Sequence, residues 1–119
     1  MESKALLEMA VKAADRIHAE DIVAMKVDSL TPMADYYVVM TANSDRQAQA
    51  IANNVIEQAH KHGVEIGSVE GKNHAKWILI DLGDVVVHIF QEETRKFYNL
   101  EKLWSEAPRV DLSQWTVAQ

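Results

Sequence analysis

The chain has 119 residues, and its 18 acidic against 12 basic side chains give a net charge of −6. The length fits one domain with its own core, and a hydrophobic fraction of 48% is that of a soluble globular protein. This balance argues against a domain that grips nucleic acid phosphates unaided, and the absence of cysteine excludes disulfides and thiolate metal sites. No apolar run reaches membrane length and the start lacks a signal peptide pattern, so we expect a cytoplasmic protein.

The first third of the chain predicts a helix followed by two strands. Over residues 3–20, apolar side chains recur at spacings of three and four, at Leu6, Leu7, Ala10, Val11, Ala14 and Ile17. Aromatic and β-branched residues predict strands at 22–27 and 36–41.

A second helix is predicted over residues 45–62. Ser44 and Gln47 form an S-x-x-Q capping box, in which each side chain can bind the other residue's free backbone N–H. Gly63 follows at the position where a left-handed C-cap is expected.

The second half predicts three strands and a last helix. The strands are expected at 64–69, 77–81 and 85–90, the helix at 92–104, and Pro108 is expected to end regular structure. The order α-β-β-α-β-β-β-α indicates an α/β fold with a mixed sheet of about five strands. The crossover through the second helix should be right-handed and leave its flanking strands parallel. We expect one domain over 1–105 and a mobile tail over 106–119.

Both faces of the predicted 77–81 and 85–90 strands are apolar. Trp77, Leu79 and Asp81 alternate with Ile78 and Ile80, and the later strand alternates in the same way. Either three helices cover both faces of the sheet, or helices cover one face and another protein covers the rest, because soluble monomers seldom expose a large apolar patch.

The chain shows little that predicts catalysis. Among five histidines, His60 and His62 do not have the spacing of a helical zinc site and are expected to be solvated surface residues. His88 is expected to be a hydrogen-bonded core or interface residue. Asp81 and Asp84 bracket a Leu-Gly turn, where paired carboxylates could bind a metal ion or share acid–base work. We expect instead that Asp84 shapes the turn with Gly83 and that Asp81 caps the end of the strand. No phosphate-binding glycine motif or nucleophile elbow occurs. We therefore expect no catalytic residue, metal site or cofactor.

The aromatic residues are better candidates for function. Trp77 and Tyr98 have the amphipathic rings that are common at binding hot spots, but they could equally fill the core. Phe97 and Leu100 are expected to fill the core.

Several short motifs follow one another in a fixed order between residues 4 and 104. They are Asp35-Tyr36-Tyr37-Val38-Val39, Thr41 to Ser44 with Arg46-Gln47, Ile51-Ala52 with Val55, Val69-Glu70-Gly71, the run from Trp77 to His88, and Arg95 with Tyr98, Leu100, Glu101, Lys102, Leu103 and Trp104. In this combination the chain resembles the ribosomal silencing factor family, also called Iojap or RsfS. The segment after Ser105 has no counterpart to which we assign a role.

The resemblance implies a nucleotidyltransferase-like fold used without its chemistry, because Gly67-Ser68 is present but no D-x-D motif follows. It also implies a translation repressor that binds the large ribosomal subunit through ribosomal protein number fourteen and blocks small-subunit joining, chiefly when nutrients are scarce. Free family members include homodimers. On this reading the partner-binding residues are Trp77, Leu79, Asp81, Glu70, Lys72 and Tyr98.

Two other functions stay open. The protein could be a large-subunit assembly factor, as organellar relatives are. It could instead be an unusual nucleotidyltransferase that uses Asp81, Asp84 and magnesium.

Overall fold

A computed structural model describes residues 1–117. The elements are α1 (Ser3–Arg16), β1 (Glu20–Lys26), β2 (Tyr36–Ala42), α2 (Asp45–Lys61), β3 (Ser68–Glu70), β4 (Trp77–Asp81), β5 (Val85–Gln91), α3 (Glu92–Tyr98), α4 (Leu100–Leu103) and β6 (Arg109–Val110). No helix within this part of the chain is long and apolar enough to cross a bilayer.

The sheet is mixed, with strand order β3-β4-β5-β2-β1-β6. β2 and β5 pair in parallel at its centre, and the other four pairs are antiparallel. The α/β class and the mixed sheet are thus as predicted. β3 runs in the same direction as β2, as expected for the strands that flank α2, although β4 and β5 lie between them.

The two long helices pack on one face of the sheet. Their apolar stripes join inward side chains of the central strands in one cluster that includes Leu7, Val11, Val38, Met40, Ile51, Val55, Ile78, Ile80, Val87 and Ile89. A second, smaller cluster lies on the other face and contains Met25, Val27, Ala34, Val39, Phe90 and Ala107. Long helices therefore cover only one face.

Gln47, in the first turn of α2, links the start of that helix to the end of α1. Ser44 Oγ accepts the Gln47 N–H at 3.0 Å, as the capping box predicts, but Gln47 Oε1 accepts the N–H of Asn43 rather than that of Ser44. Gln47 Nε2 donates to the carbonyls of Ile17 and His18. These carbonyls follow the end of α1, which stops at Arg16 and not at residue 20 as predicted.

Two further boundaries differ from the prediction. The third strand begins at Ser68 rather than at residue 64. The predicted helix over 92–104 is broken at Asn99, which has a left-handed backbone with φ of 49° and separates α3 from α4.

Regular structure continues beyond Pro108, where we predicted that it ends. β6 pairs with β1 as a sixth strand, and the Pro108 carbonyl accepts the Lys26 N–H at 2.9 Å. Leu112 is only 9% exposed and Trp115 packs against the core formed with α1 and α2. The segment covers the outer edge of β1, whose backbone groups are otherwise open to pairing.

This packing predicts that Leu112→Ala lowers the free energy of unfolding by about 2 kcal/mol, because it removes buried methyl groups. Urea unfolding followed by tryptophan fluorescence measures the change. Leu103→Ala is the matched control, since Leu103 is 73% exposed, and it should change stability by less than about 0.5 kcal/mol. Equal stabilities for the two variants would show that residue 112 does not contribute to the folded domain.

Candidate functional site

The sheet face opposite α1 and α2 carries a row of aromatic and apolar side chains. Strand register aligns Trp77 with Phe90, Leu79 with His88, and Asp81 with Val86. Tyr37 of β2 lies on the other side of Val86. We call this surface, with Tyr98 resting on it, the aromatic face. Trp77, Leu79, Val86 and Tyr37 are half-buried there, so apolar area stays open to solvent.

The aromatic face is covered only in part, by α3 and α4. Neither helix has a fully buried side chain. We call α3 and α4 together the arm. Arg95 connects its two helices and anchors them to the sheet, because its guanidinium binds both carboxylate oxygens of Glu101 and donates to Thr41 Oγ1 on β2 at 2.8 Å. A bidentate pair of this kind fixes the relative orientation of the two side chains and also stabilises their contact. The left-handed turn at Asn99 brings Arg95 and Glu101 to the same side.

Trp77 is the centre of an aromatic stack. Its ring lies 5.0 Å from that of Phe90 and 4.6 Å from that of Tyr98, centroid to centroid. Its Nε1–H donates to His88 Nδ1 at 3.1 Å. The indole is therefore held in one orientation with part of its surface exposed, which is the arrangement of an anchor at a protein interface.

His88 is the buried acceptor for this bond, as expected for a core histidine. Trp77 can only donate, so His88 Nδ1 must accept and the ring proton lies on Nε2. That Nε2 is buried and has no hydrogen-bond partner within residues 1–117. Burial lowers the pKa of His88 to about 4, so the ring is neutral near pH 7.

Asp81 lies at the end of β4, beside the turn. Its Oδ1 accepts the Gly83 N–H at 2.8 Å, which is the expected cap at the end of the strand and also holds the turn. Its charge, after burial, is the second cause that raises the pKa of the Tyr37 hydroxyl.

The loop before Trp77 is closely packed. Gly71 has φ of 79°, and a Cβ at this position would lie 2.1 Å from the Trp77 carbonyl oxygen. The Lys72 carbonyl accepts from Gln49 Nε2 at 3.0 Å, which joins the loop to α2. Glycine is therefore required here for the approach of the loop to Trp77.

The structure brings most of the predicted binding residues together. Trp77, Leu79, Asp81 and Tyr98 share the aromatic face, and Glu70 lies exposed opposite Leu79 on the edge strand β3. Lys72 is in the loop, and only its backbone carbonyl has a described bond.

The sequence misplaced one aromatic side chain and did not identify two residues of the aromatic face. Phe97, expected in the core, is 80% exposed and meets Tyr98 edge-on at 5.0 Å. Leu100 packs on the second cluster as expected. Tyr37 and Val86 were not predicted as site residues. Strand alternation alone places Val86 with His88, but Tyr37 joins them only through the parallel pairing of β2 with β5.

Histidine and acidic side chains form no metal site within residues 1–117. His60 and His62 are exposed on or just after α2, as predicted. Within the described residues, no group of three or more His, Cys, Asp or Glu side chains is placed to hold a metal ion.

Comparison with known proteins gives consistent matches over the whole domain. The chain matches the family described as "Ribosomal silencing factor during starvation" over residues 1–119. It is 46% identical over 112 residues to "Ribosomal silencing factor RsfS" of Bacillus subtilis, covering 94% of this chain and 95% of that protein. A crystal structure of a Chromobacterium violaceum protein superposes with a TM-score of 0.87 at 35% identity, over 88% of each chain.

A more distant relative is the mouse protein named "Mitochondrial assembly of ribosomal large subunit protein 1". It is 30% identical over 103 residues, which cover 83% of this chain and 45% of that protein.

The low pKa of His88 predicts a pH-dependent stability. Above the unfolded pKa of about 6.5, His88 is neutral in both states and has no effect. Below it the unfolded chain takes up a proton that the folded protein does not, so stability is lost as the pH falls toward 4. We expect a loss of about 2 kcal/mol from this residue between pH 7 and pH 5.

Urea unfolding at a series of pH values measures this loss. His88→Gln keeps an acceptor for Trp77 and should lose less stability than the wild type over the same range, whereas His62→Gln should behave like the wild type. Parallel pH curves for wild type and His88→Gln would contradict the assignment.

Proposed function

Because the chain belongs to the ribosomal silencing factor family, we propose that it represses translation by binding the large ribosomal subunit and blocking small-subunit joining. Its docking partner on the large subunit is ribosomal protein number fourteen, and repression acts chiefly when nutrients are limiting. The name of the Bacillus subtilis relative supports the ribosomal role.

The observation that carries this proposal is the aromatic face. Soluble monomers seldom expose connected apolar surface of this kind without a partner. Here Trp77 and Leu79 are half-buried on the sheet, while Tyr98 is 45% and Phe97 80% exposed on the arm. The rings are preordered by their stacking contacts, so little side-chain entropy is lost on docking.

Charge supports a basic protein as the partner. The net charge is −6, and Glu70 and Asp81 lie at the margins of the aromatic face. Long-range attraction of this kind raises the rate of encounter, while the buried aromatic contacts hold the complex. Trp77, Leu79 and Tyr98 form the centre of the docking surface, Glu70, Lys72 and Asp81 its rim, and Phe97 extends it along the arm.

Blocking by bulk requires no catalytic residue. The folded chain measures about 33 × 33 × 29 Å. A body of this size bound on the joining surface leaves no room for the small subunit to approach. We also propose that the protein acts in the cytoplasm without a cofactor and that free copies form homodimers.

A second candidate function is assembly of the large subunit. The name of the mouse relative favours it, since that protein is named for mitochondrial large-subunit assembly. Sucrose-gradient profiles of a deletion strain separate the two functions. Accumulated large-subunit precursors support assembly, and normal precursors with excess joined ribosomes during starvation support silencing.

A nucleotidyltransferase activity remains the rival of a different class. It would use Asp81 and Asp84, but Asp81 Oδ1 already binds the turn at Gly83. Titration with nucleotide and magnesium, followed by tryptophan fluorescence, tests this rival through the presence or absence of a saturable change.

Co-sedimentation with isolated Bacillus subtilis large subunits tests the proposed function, together with an assay of subunit joining. The wild type should sediment with large subunits and reduce joining. Tyr98→Ala should weaken binding about tenfold or more, because it removes an interface anchor from an exposed position. His60→Ala is the control, since it removes a ring from exposed α2 on the other side of the sheet.

The outcomes separate two errors. Failure of the wild type to bind at low salt would remove the proposed function. Equal binding by Tyr98→Ala and His60→Ala, with the wild type bound, would leave the function and remove the assigned docking surface.

A further inference from the structure

Three side chains form a row across one end of the aromatic face. Val86 of β5 pairs with Asp81 of β4 on one side and with Tyr37 of β2 on the other. Neighbouring strands are about 4.8 Å apart, so Asp81 and Tyr37 stand about 10 Å from each other across Val86. Asp81 and Tyr37 therefore flank the half-buried Val86 on its two sides. We call the row of Asp81, Val86 and Tyr37 the cradle.

The cradle has a charged wall that is only partly satisfied. Asp81 Oδ1 accepts the Gly83 N–H, which fixes the carboxylate in place. None of the ion pairs found within residues 1–117 includes Asp81. A carboxylate has about four acceptor sites, so most of its capacity is open to an incoming donor.

The opposite wall is an aromatic ring in a preset orientation. Tyr37 meets Trp104 edge-on at 5.1 Å and His88 at 5.4 Å. Its hydroxyl has no hydrogen bond within the described part of the chain. Burial, and after it the Asp81 charge, raises the pKa of this hydroxyl. Val86, half-buried between the two walls, gives an apolar floor.

We propose that the cradle receives an arginine side chain of the protein partner, with its stem on Val86, its guanidinium on Asp81 and its plane against Tyr37. This inference rests on the proposed function and names the chemistry that the partner must supply.

The chemistry of the three walls selects arginine. An apolar side chain would bury the carboxylate and the hydroxyl without partners, which costs free energy. An acidic side chain would be repelled by Asp81. A lysine ammonium can pair with the carboxylate but cannot stack, and it loses more hydration than a guanidinium does. Arginine satisfies the carboxylate with several N–H donors and stacks on an aromatic ring at the same time.

Binding of Asp81→Asn to isolated Bacillus subtilis large subunits tests the proposal. Asparagine can still accept the Gly83 N–H but lacks the charge, and we expect binding to weaken about tenfold or more. Asp84→Asn is the matched control, because it removes the same charge from an exposed residue of the same turn. It should change the affinity less than about threefold, since long-range attraction alone depends weakly on one exposed charge.

Two further measurements identify the chemistry. Tyr37→Leu removes the ring and should bind about tenfold more weakly than the wild type, with circular dichroism to verify its fold, whereas Tyr37→Phe keeps the ring and should bind more tightly than Tyr37→Leu. Treatment of the large subunits with butanedione, which modifies arginine, should make wild type and Asp81→Asn bind equally. Acetylation of lysines should leave the difference between them intact.

Each outcome has one meaning. Equal binding by Asp81→Asn and Asp84→Asn, with the wild type bound, overturns the cradle and leaves the proposed function. Loss of the difference on lysine acetylation, and not on butanedione treatment, overturns the choice of arginine. Failure of the wild type to bind overturns the proposed function and this inference with it.

Discussion

The parallel pairing of β2 with β5 is the constraint on which the rest of the structure depends. It runs through seven consecutive residue pairs from Tyr36–Val85 to Ala42–Gln91. A parallel pair needs a long crossover, and here α2 packs on one face within that crossover. α1 packs beside α2 on the same face, so the opposite face is left to a short arm. The aromatic face exists because the helices are distributed unequally.

The same register decides which side chains meet. Because residues alternate across a strand, one fixed register places Tyr37, Val86 and Asp81 in a row and Trp77 beside Phe90. A shift of one residue would exchange the apolar floor of the aromatic face for the core-facing valines and isoleucines. The buried polar pair of Trp77 and His88 also resists such a shift, since either group alone would lack its partner.

Local sequence patterns were sufficient for the long helices, the four longer strands and the fold class, because periodicity and caps act over a few residues. Features that depend on distant partners were not predictable. The break at Asn99 is stabilised by Arg95 reaching Thr41, and β6 exists only because β1 presents an open edge. For the site, alternation in β4 placed Trp77, Leu79 and Asp81 on one face. Tyr37 joins the site through the non-local pairing of β2 with β5. Phe97 lies outside the predicted core, next to the turn at Asn99.

The pairing of β6 with β1 has a consequence for biosynthesis. β1 ends at Lys26 and its partner begins at Arg109, so the two edges of this ladder are made at widely separated times. While the intervening residues are translated, the outer edge of β1 has no covering strand and its backbone groups are available to any extended neighbour. Chains on adjacent ribosomes of one messenger are such neighbours. The nascent protein is therefore most exposed to wrong pairing before residues 107–115 emerge, and dense loading of its messenger lengthens that exposure.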